Sequence, residues 1–133
     1  MAVCAVSAPI EAEMAELEPE DAQAFREDLG LAEPGLDRVI RTSYDLLGLI
    51  SFLTVGEDEC RAWTVGKDTR AQIAAGAIHS DIERGFIRAE VVPFDDLIAA
   101  GSLAACRERG TLRLEGKDYA VKDGDVINFR FAV

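Results

Sequence analysis

The sequence lacks any run of about 18 or more apolar residues, the length that a membrane-spanning helix requires. Its apolar start, Met1 to Ala8, contains no basic residue and is followed at once by acidic residues, unlike a secretory signal peptide. We therefore expect a cytoplasmic protein with no membrane partner.

Cysteine and histidine are scarce as well: the chain has 3 cysteines and 1 histidine in 133 residues. Cys4, Cys60 and Cys106 are too far apart for the paired spacing of a zinc site, and an odd, scattered set does not indicate a disulfide framework. We expect buried, unreactive cysteines, no metal site and no catalytic residue. A single His79 leaves two interpretations open. It contacts RNA or a partner at a helix end, or its ring nitrogen bonds nearby backbone or Asp81.

Positive charge is the next shortage, because 14 basic residues face 25 acidic ones and the net charge is -11. Residues 1–48 contain three arginines against eleven acidic residues, a net charge of −8, so the remaining residues carry only −3. An acidic segment repels a phosphate backbone. Any basic binding surface is therefore expected in residues 49–133.

The hydrophobic pattern changes character at Leu49. Before it we predict a short strand, Val3 to Ser7, and then acidic helices that begin near Ile10, Pro19 and Leu36. After it we predict short strands and helices in an α+β arrangement. These are a hairpin of Leu49–Val55 and Cys60–Val65, a helix from Thr69 to Gly85, a strand Ile87–Val92, a helix 95–109 weakened at Gly101-Ser102, a strand Thr111–Glu115, a turn at Lys122–Asp125 and a strand Val126–Val133.

A hairpin, a helix crossing one face of the sheet and returning strands are the outline of a β-grasp, or ubiquitin-like, fold. Periodicity also predicts which side chains are buried. Ile73, Ala77 and Ile78 are expected on the buried face of the first helix of this region, and Leu112 and Leu114 are expected to point inward.

The open face of this sheet is the best candidate for a binding site. Arg88, Arg113 and Arg130 all occupy positions predicted to face outward, where they can bind RNA phosphates or an acidic partner. Arg61 is a further candidate. Trp63, two residues later, is expected on the same face of the strand, so the sequence does not decide whether Arg61 faces outward or inward. The alternative is cross-strand pairing with Glu90 and Glu115, which would neutralise these arginines.

Several segments resemble one known family closely. They are Arg61-Ala62-Trp63-Thr64, Ala74-Ala75-Gly76, Ile78-His79-Ser80-Asp81, the run from Glu83 to Val91, Leu114-Glu115-Gly116-Lys117-Asp118-Tyr119 and Asp123-Gly124-Asp125-Val126. Residues 49–133 thereby resemble the C-terminal TGS domain of the YchF/Obg-like ATPase family. That resemblance implies a β-grasp domain preceded by a short strand and acidic helices.

The first third of the chain is similar to the same family. Residues 1–48 look like the last strand of its G domain followed by linker helices, and Ser7-Ala8 looks like the remnant of a motif that contacts the nucleotide base. The full-length family binds ATP or GTP with Mg²⁺. However, the sequence has no G-x-x-x-x-G-K-[ST] loop to hold phosphates, no switch region and no other base-recognition motif. We expect no hydrolysis and no cofactor for this chain.

The resemblance implies a binding or regulatory module that engages the ribosome, RNA or a protein partner, with Arg88, Arg113, Arg130, Arg61 and His79 as candidate contacts. A chain that begins at the last G-domain motif is also consistent with a truncated, non-functional remnant of the same family. In that case the apolar stripes Phe25/Leu29 and Val39/Ile40/Tyr44 would be exposed and would favour weak self-association.

Overall fold

The computed structural model describes residues 1–132. The chain divides into two compact units, Met1–Leu47 and Gly48–Val133. Val133, which was included in the last predicted strand, lies outside the described residues.

The first unit contains the helices α1 (Ala8–Ala15), α2 (Pro19–Asp28) and α3 (Gly35–Leu47). Proline lies in the first turn of both α1 and α2, where a missing N–H removes no helical hydrogen bond. Little of this unit is buried: within its described residues only Met14 and Gly35 are. Gly35 begins α3 against α1, and its N–H donates to Glu11 Oε1 at 2.9 Å. A Cβ there would lie 2.7 Å from that same oxygen, so a larger residue would require the Glu11 side chain to move.

The strand predicted at Val3–Ser7 is absent, which corrects that expectation. Within residues 1–132 no strand pairs with this segment, and it has no regular secondary structure. A strand is stable only when its N–H and C=O groups have ladder partners, and local apolar character alone cannot provide them. The acidic helices expected after it do form.

The second unit is built on a five-stranded mixed sheet in the order β2-β1-β5-β3-β4. β1 and β5 are parallel, and the other neighbouring strands are antiparallel. The strands are β1 (Leu49–Val55), β2 (Cys60–Gly66), β3 (Phe86–Pro93), β4 (Arg113–Glu115) and β5 (Asp125–Phe131), and the helices are α4 (Ala71–Gly76), α5 (Ser80–Arg84), α6 (Phe94–Ala100) and α7 (Leu103–Glu108). This is the predicted α+β, β-grasp-like fold.

Helices cover both faces of the central strands. On one face, Phe52 and Phe129 meet edge to face with ring centroids 5.9 Å apart, beside the buried alanines of α4. On the other face, Val92 and Val126 pack with Cys106 of α7. We call the first the α4 face and the second the α7 face. Residues next to each other in a strand alternate between them.

The helix predicted from Thr69 to Gly85 is two short helices. The Thr69 hydroxyl donates to the carbonyl of Gly66 at 2.6 Å and does not cap α4, whose first turn follows Arg70. The buried side chains of α4 are alanines, whereas Ile73 is 57% exposed. Small side chains let the helix lie close to the sheet, so the alanine side turns inward and the larger Ile73 faces solvent.

The weak point at Gly101-Ser102 is confirmed. Gly101 adopts φ +81°, a left-handed conformation that ends α6, and the Ser102 Oγ accepts the Ala105 N–H at 3.1 Å to begin α7. The inward orientation predicted for Leu114 is wrong, since this side chain is 56% exposed. Leu112, by contrast, is partly buried against the α7-face cluster.

Candidate partner-binding surface

A buried carboxylate organises the open part of the α7 face. Glu90 lies in the middle of β3 and its side chain is only 7% exposed. It accepts a hydrogen bond from Arg130 Nη2 at 2.5 Å and one from Asn128 Nδ2 at 3.0 Å. β-Pairing sets this geometry, because Glu90 is opposite Asn128 and Arg88 is opposite Arg130 in the β3–β5 register.

Arg107 of α7 is a third contact of the same carboxylate, with its Nη2 3.4 Å from Glu90 Oε1. Sequence reasoning missed this residue. Its contribution depends on where α7 lies over the sheet, and no motif around Arg107 signals it. Arg88, Arg107 and Arg130 together form what we call the arginine cluster. Arg107 and Arg130 contact the single negative charge of Glu90, and Arg88 is opposite Arg130 in the strand register. A net positive patch therefore exists on a chain whose net charge is -11.

The protonation of Glu90 follows from this arrangement. Burial raises the pKa of its carboxyl, but the hydrogen bonds from Asn128 and Arg130 and the charges of Arg130 and Arg107 outweigh burial and hold that pKa below its ordinary value. Glu90 is therefore ionised at neutral pH and holds the Arg130 guanidinium by a charge-assisted hydrogen bond.

Arg88 differs from its neighbours in the cluster. Its side chain is exposed, and among residues 1–132 it has no ion pair and no aromatic contact. It follows an irregularity in the β3–β5 pairing between Phe86 and Arg88, which leaves Ile87 exposed beside it. Arg88, Ile87 and Leu114 line a hollow of about 290 Å³ together with Glu115 and Gly116. The guanidinium of Arg88 is thus available to bind a partner.

Arg113 does not belong to this surface, which corrects the prediction that it shares a face with Arg88 and Arg130. It is opposite Val91 in the β3–β4 register and therefore lies on the α4 face. There its Nη2 donates to the Tyr119 hydroxyl at 3.0 Å, and its Nε lies 3.7 Å from Glu115. The cross-strand pairing considered as the alternative thus exists for Arg130 with Glu90. Arg113 and Glu115 pair within one strand, β4.

Tyr119 connects Arg113 to the interior. The Tyr119 hydroxyl donates to Asp125 Oδ2 at 2.8 Å, and Asp125 is 3% exposed. Burial, the hydrogen bond to Asp125 and the Asp125 charge raise the pKa of Tyr119 to about 12, against a smaller opposing effect of Arg113. Arg113 is therefore engaged in a structural network.

Arg61 also lies away from the arginine cluster. Its guanidinium carbon is 4.3 Å from the centre of the Trp63 ring, and the two residues share one side of β2. Trp63 packs against the α4-face core and its indole N–H donates to Thr54 Oγ1 at 2.9 Å. Arg61 is therefore on the opposite face from Arg88 and Arg130, at the edge of the sheet.

His79 caps α5. Its Nδ1 accepts the Asp81 N–H at 3.1 Å, and its side chain is 63% exposed. Asp81 also pairs with Arg84. The hydrogen bond to the backbone agrees with the structural role that was one of the two interpretations of His79. Because the ring is exposed, contact with RNA or a partner stays a prediction.

Ala8 is the first residue of α1 and Ser7 is its N-cap, but the Ser7 side chain makes no capping hydrogen bond. Within residues 1–132, no group of three His, Cys, Asp or Glu side chains is arranged to hold a metal ion. No helix in that same part of the chain has the length and hydropathy to cross a membrane. The expectation of buried cysteines holds for Cys106 and is wrong for Cys60, which is exposed.

Comparison with known proteins gives a consistent result. A family model described as YchF-GTPase_C, "Protein of unknown function (DUF933)", matches residues 49–132. The "Ribosome-binding ATPase YchF" of Bacillus subtilis is 57% identical over 131 residues, which are 98% of this chain and 36% of that protein. The "Obg-like ATPase 1" of Gallus gallus is 41% identical over 94% of this chain and 31% of that protein.

A solved structure agrees with the sequence matches. The Schizosaccharomyces pombe YchF GTPase superposes with a TM-score of 0.75 at 35% identity, covering 89% of this chain and 31% of that one. The chain therefore spans about a third of the length of the relatives that it matches.

Proposed function

The chain belongs to the YchF/Obg-like ATPase family, of which it matches the C-terminal region, and from this membership we propose that it binds the ribosome through ribosomal RNA. Residues 49–133 act as the TGS binding module in this proposal. Residues 1–48 correspond to the end of the family's G domain and its linker helices, with Ser7 and Ala8 as the remnant of the base-contacting motif.

The observation that carries the proposal is Arg88 in the arginine cluster. The Bacillus subtilis relative is named a ribosome-binding protein. Arg88 offers an unpaired guanidinium on a locally positive surface, and guanidinium groups bind phosphate with two parallel hydrogen bonds. Arg130 supports this contact by adding positive charge beside it, while Glu90 fixes the position of Arg130. A protein partner of acidic surface is the alternative target of the same cluster.

Nucleotide hydrolysis is not part of the proposed function. The phosphate-binding loop that the family uses is absent from the sequence, and the match covers the C-terminal region of the relatives. In the full-length family, ATP or GTP with Mg²⁺ would be bound by residues outside this region. Purified chain should show no ATP or GTP turnover above a protein-free blank. Turnover that co-purifies with the chain through successive columns would contradict this.

The binding proposal is tested by co-sedimentation with Bacillus subtilis ribosomes at several salt concentrations. Arg88→Glu should weaken binding by about tenfold and reduce the slope of log affinity against log salt by about 1, because one phosphate contact is lost. Arg70→Glu is the matched control. Arg70 is exposed and pairs with Asp118 at 3.3 Å, so Arg70→Glu makes the same change of charge at a residue outside the arginine cluster.

Equal loss of binding in the two variants would mean that net charge alone matters and would remove the arginine cluster from the proposal. Binding that resists ribonuclease treatment of the ribosomes but still requires Arg88 would assign the cluster to an acidic protein. Absence of sedimentation at low salt for the unmodified chain would reject ribosome binding altogether.

A further inference from the structure

A large apolar groove lies apart from the arginine cluster, between the β1–β2 hairpin and the helices α6 and α7. Its volume is about 780 Å³. The hairpin contributes Leu53, Val55 and Ala62, and α6 contributes Phe94, Leu97 and Ile98. Three of these side chains are strongly exposed: Val55 at 41%, Phe94 at 45% and Ile98 at 64%. Such a concentration of exposed apolar surface marks a binding surface in soluble proteins.

The groove lies between a helix and a pair of strands. One wall is a helix that presents positions i, i+3 and i+4 of α6, and the other wall is a pair of strands. Amphipathic helices bind in grooves of this kind by inserting apolar side chains at the same spacing. The sheet under the groove is already packed against the α4-face core, so its floor does not have to form on binding.

Acidic residues adjoin groove-lining residues in the sequence, and we call them the acidic rim. The loop that joins Val55 to Cys60 contains Glu57, Asp58 and Glu59, all exposed, and Asp95 follows Phe94 on the flank of α6. Among the described residues that line the groove, Arg61 is the one basic residue, and its guanidinium lies against Trp63 on the opposite face of the sheet. Charges around an apolar groove choose the partner by complementarity. This rim therefore selects a partner with basic residues beside its apolar stripe.

A second copy of the chain does not fit that requirement. Its exposed apolar helix, α3, carries Arg38 and Arg41, but both lie near Glu33, and the copy as a whole has a net charge of -11. Two such chains repel each other at low salt.

We propose that the groove between the β1–β2 hairpin and α6–α7 binds a basic amphipathic helix of a partner protein. Apolar side chains of that helix contact Val55, Phe94 and Ile98, and its lysines or arginines lie against the Glu57–Glu59 loop and Asp95. The site is independent of the proposed RNA contact, because Arg88 and Arg130 do not line it.

The test uses the whole chain and two fluorescent model peptides. One contains leucine and lysine and the other contains leucine and glutamate, and both have leucine at the spacing of one helical face. A scrambled leucine–lysine peptide controls for charge. Anisotropy should show binding of the helical lysine peptide, at least about tenfold tighter than either of the other two. Ile98→Glu should weaken this binding about tenfold or more, because a charge enters the apolar contact. Ile73→Glu, which changes an isoleucine of similar exposure on α4, should leave it within about twofold.

Cys60 supplies a second readout, since it is exposed and lines the groove. In a Cys4→Ser background, the bound lysine peptide should slow alkylation of Cys60, whereas the glutamate peptide should not. Lack of binding by the lysine peptide, equal binding of the scrambled peptide, or equal effects of Ile98→Glu and Ile73→Glu would each overturn the proposal. Self-association that disappears in Ile98→Glu would overturn it in favour of a second copy.

Discussion

The two units of this chain obtain their structure in different ways. The first unit, Met1–Leu47, buries Met14 and Gly35 among its described residues and leaves Leu36 at 67% and Leu47 at 69% exposure. The second unit has an apolar cluster on each face of its sheet. Stability in small domains comes mainly from buried apolar area, which is small below about 40 to 60 residues. The difference indicates that the second unit has enough buried apolar surface to specify its own fold. The first unit has too little to fold by itself.

Separating the two units should give the largest effect and tests whether each unit folds by itself. A chain of residues 48–133 should unfold in a single cooperative transition, while a peptide of residues 1–47 should show none, because it has too little core. Circular dichroism during heating and the dispersion of amide NMR signals measure this. A cooperative transition in the peptide would show that its helices are sufficient by themselves.

Removing a large core side chain should affect only the second unit. Phe52 is 0% exposed and contacts Phe129, so Phe52→Ala should lower the free energy of unfolding by about 3 to 5 kcal/mol. Phe131→Ala, at 42% exposure, is the matched control and should cost much less. Urea denaturation gives both values. Similar losses for the two variants would contradict the assignment of the core.

Neutralising Glu90 should destabilise the second unit less than a cavity does. Glu90→Gln weakens charge-assisted hydrogen bonds from Arg130 and should cost about 1.5 to 3 kcal/mol at neutral pH. The pKa of Glu90 is lower in the fold than its ordinary 4.5. Its contribution is therefore present above that pH and is lost as the pH falls through the lowered pKa.

The pH dependence can be measured by urea denaturation of both proteins between neutral and acidic pH. The stability difference between wild type and Glu90→Gln should shrink as Glu90 becomes protonated. Glu13→Gln, at an exposed position of α1, is the control, and its stability relative to wild type should not change with pH. A difference that stays constant with pH would mean that the charge of Glu90 is not what stabilises the sheet.

At high pH, Tyr119 tests the other face of the same sheet. Tyr119→Phe should cost about 1 kcal/mol, since it removes the hydrogen bond to Asp125. Because the native pKa is about 12, above the ordinary 10.0, the phenol stabilises the fold fully below the ordinary value and loses this effect as the pH rises through the native pKa. Guanidinium denaturation at neutral and alkaline pH should show an alkaline decline that is smaller in the variant. An unchanged decline would assign it to other groups.

The smallest effect on folding is expected in α3 of the first unit. Leu36→Gln with Ile40→Gln replaces two exposed side chains, so stability should change by no more than about 0.5 kcal/mol. The same change should reduce any weak self-association of the chain, as measured by sedimentation velocity at increasing concentration. Self-association that persists in the variant would exclude this helix as the interface.

Sequence reasoning worked best where structure depends on adjacent residues. The β1–β2 hairpin, the break at Gly101-Ser102 and the turn at Lys122–Asp125 were predicted because each depends on a few neighbouring side chains. The family resemblance, which rests on contiguous motifs, was confirmed for the same reason.

Faces of short elements were predicted less well. β4 has only three residues, and its register on β3 decides that Arg113 lies on the α4 face. Ile73 and Arg107 depend in the same way on how a short helix lies over the sheet. A periodic pattern of one or two turns cannot determine such tertiary choices. The arginine cluster was therefore anticipated at Arg88 and Arg130 and missed at Arg107.

The central position of β5 affects how the second unit folds during synthesis. In the order β2-β1-β5-β3-β4, the central strand is the last of the five to be synthesised. Until it is available, the β1–β2 hairpin and the β3–β4 pair have no strand between them. Closure requires contacts such as Leu53 with Val126, which are distant along the chain. Non-local pairing of this kind slows folding. Until Asp125–Phe131 completes the sheet, a nascent chain therefore has unpaired backbone N–H and C=O groups on the facing edges of β1 and β3.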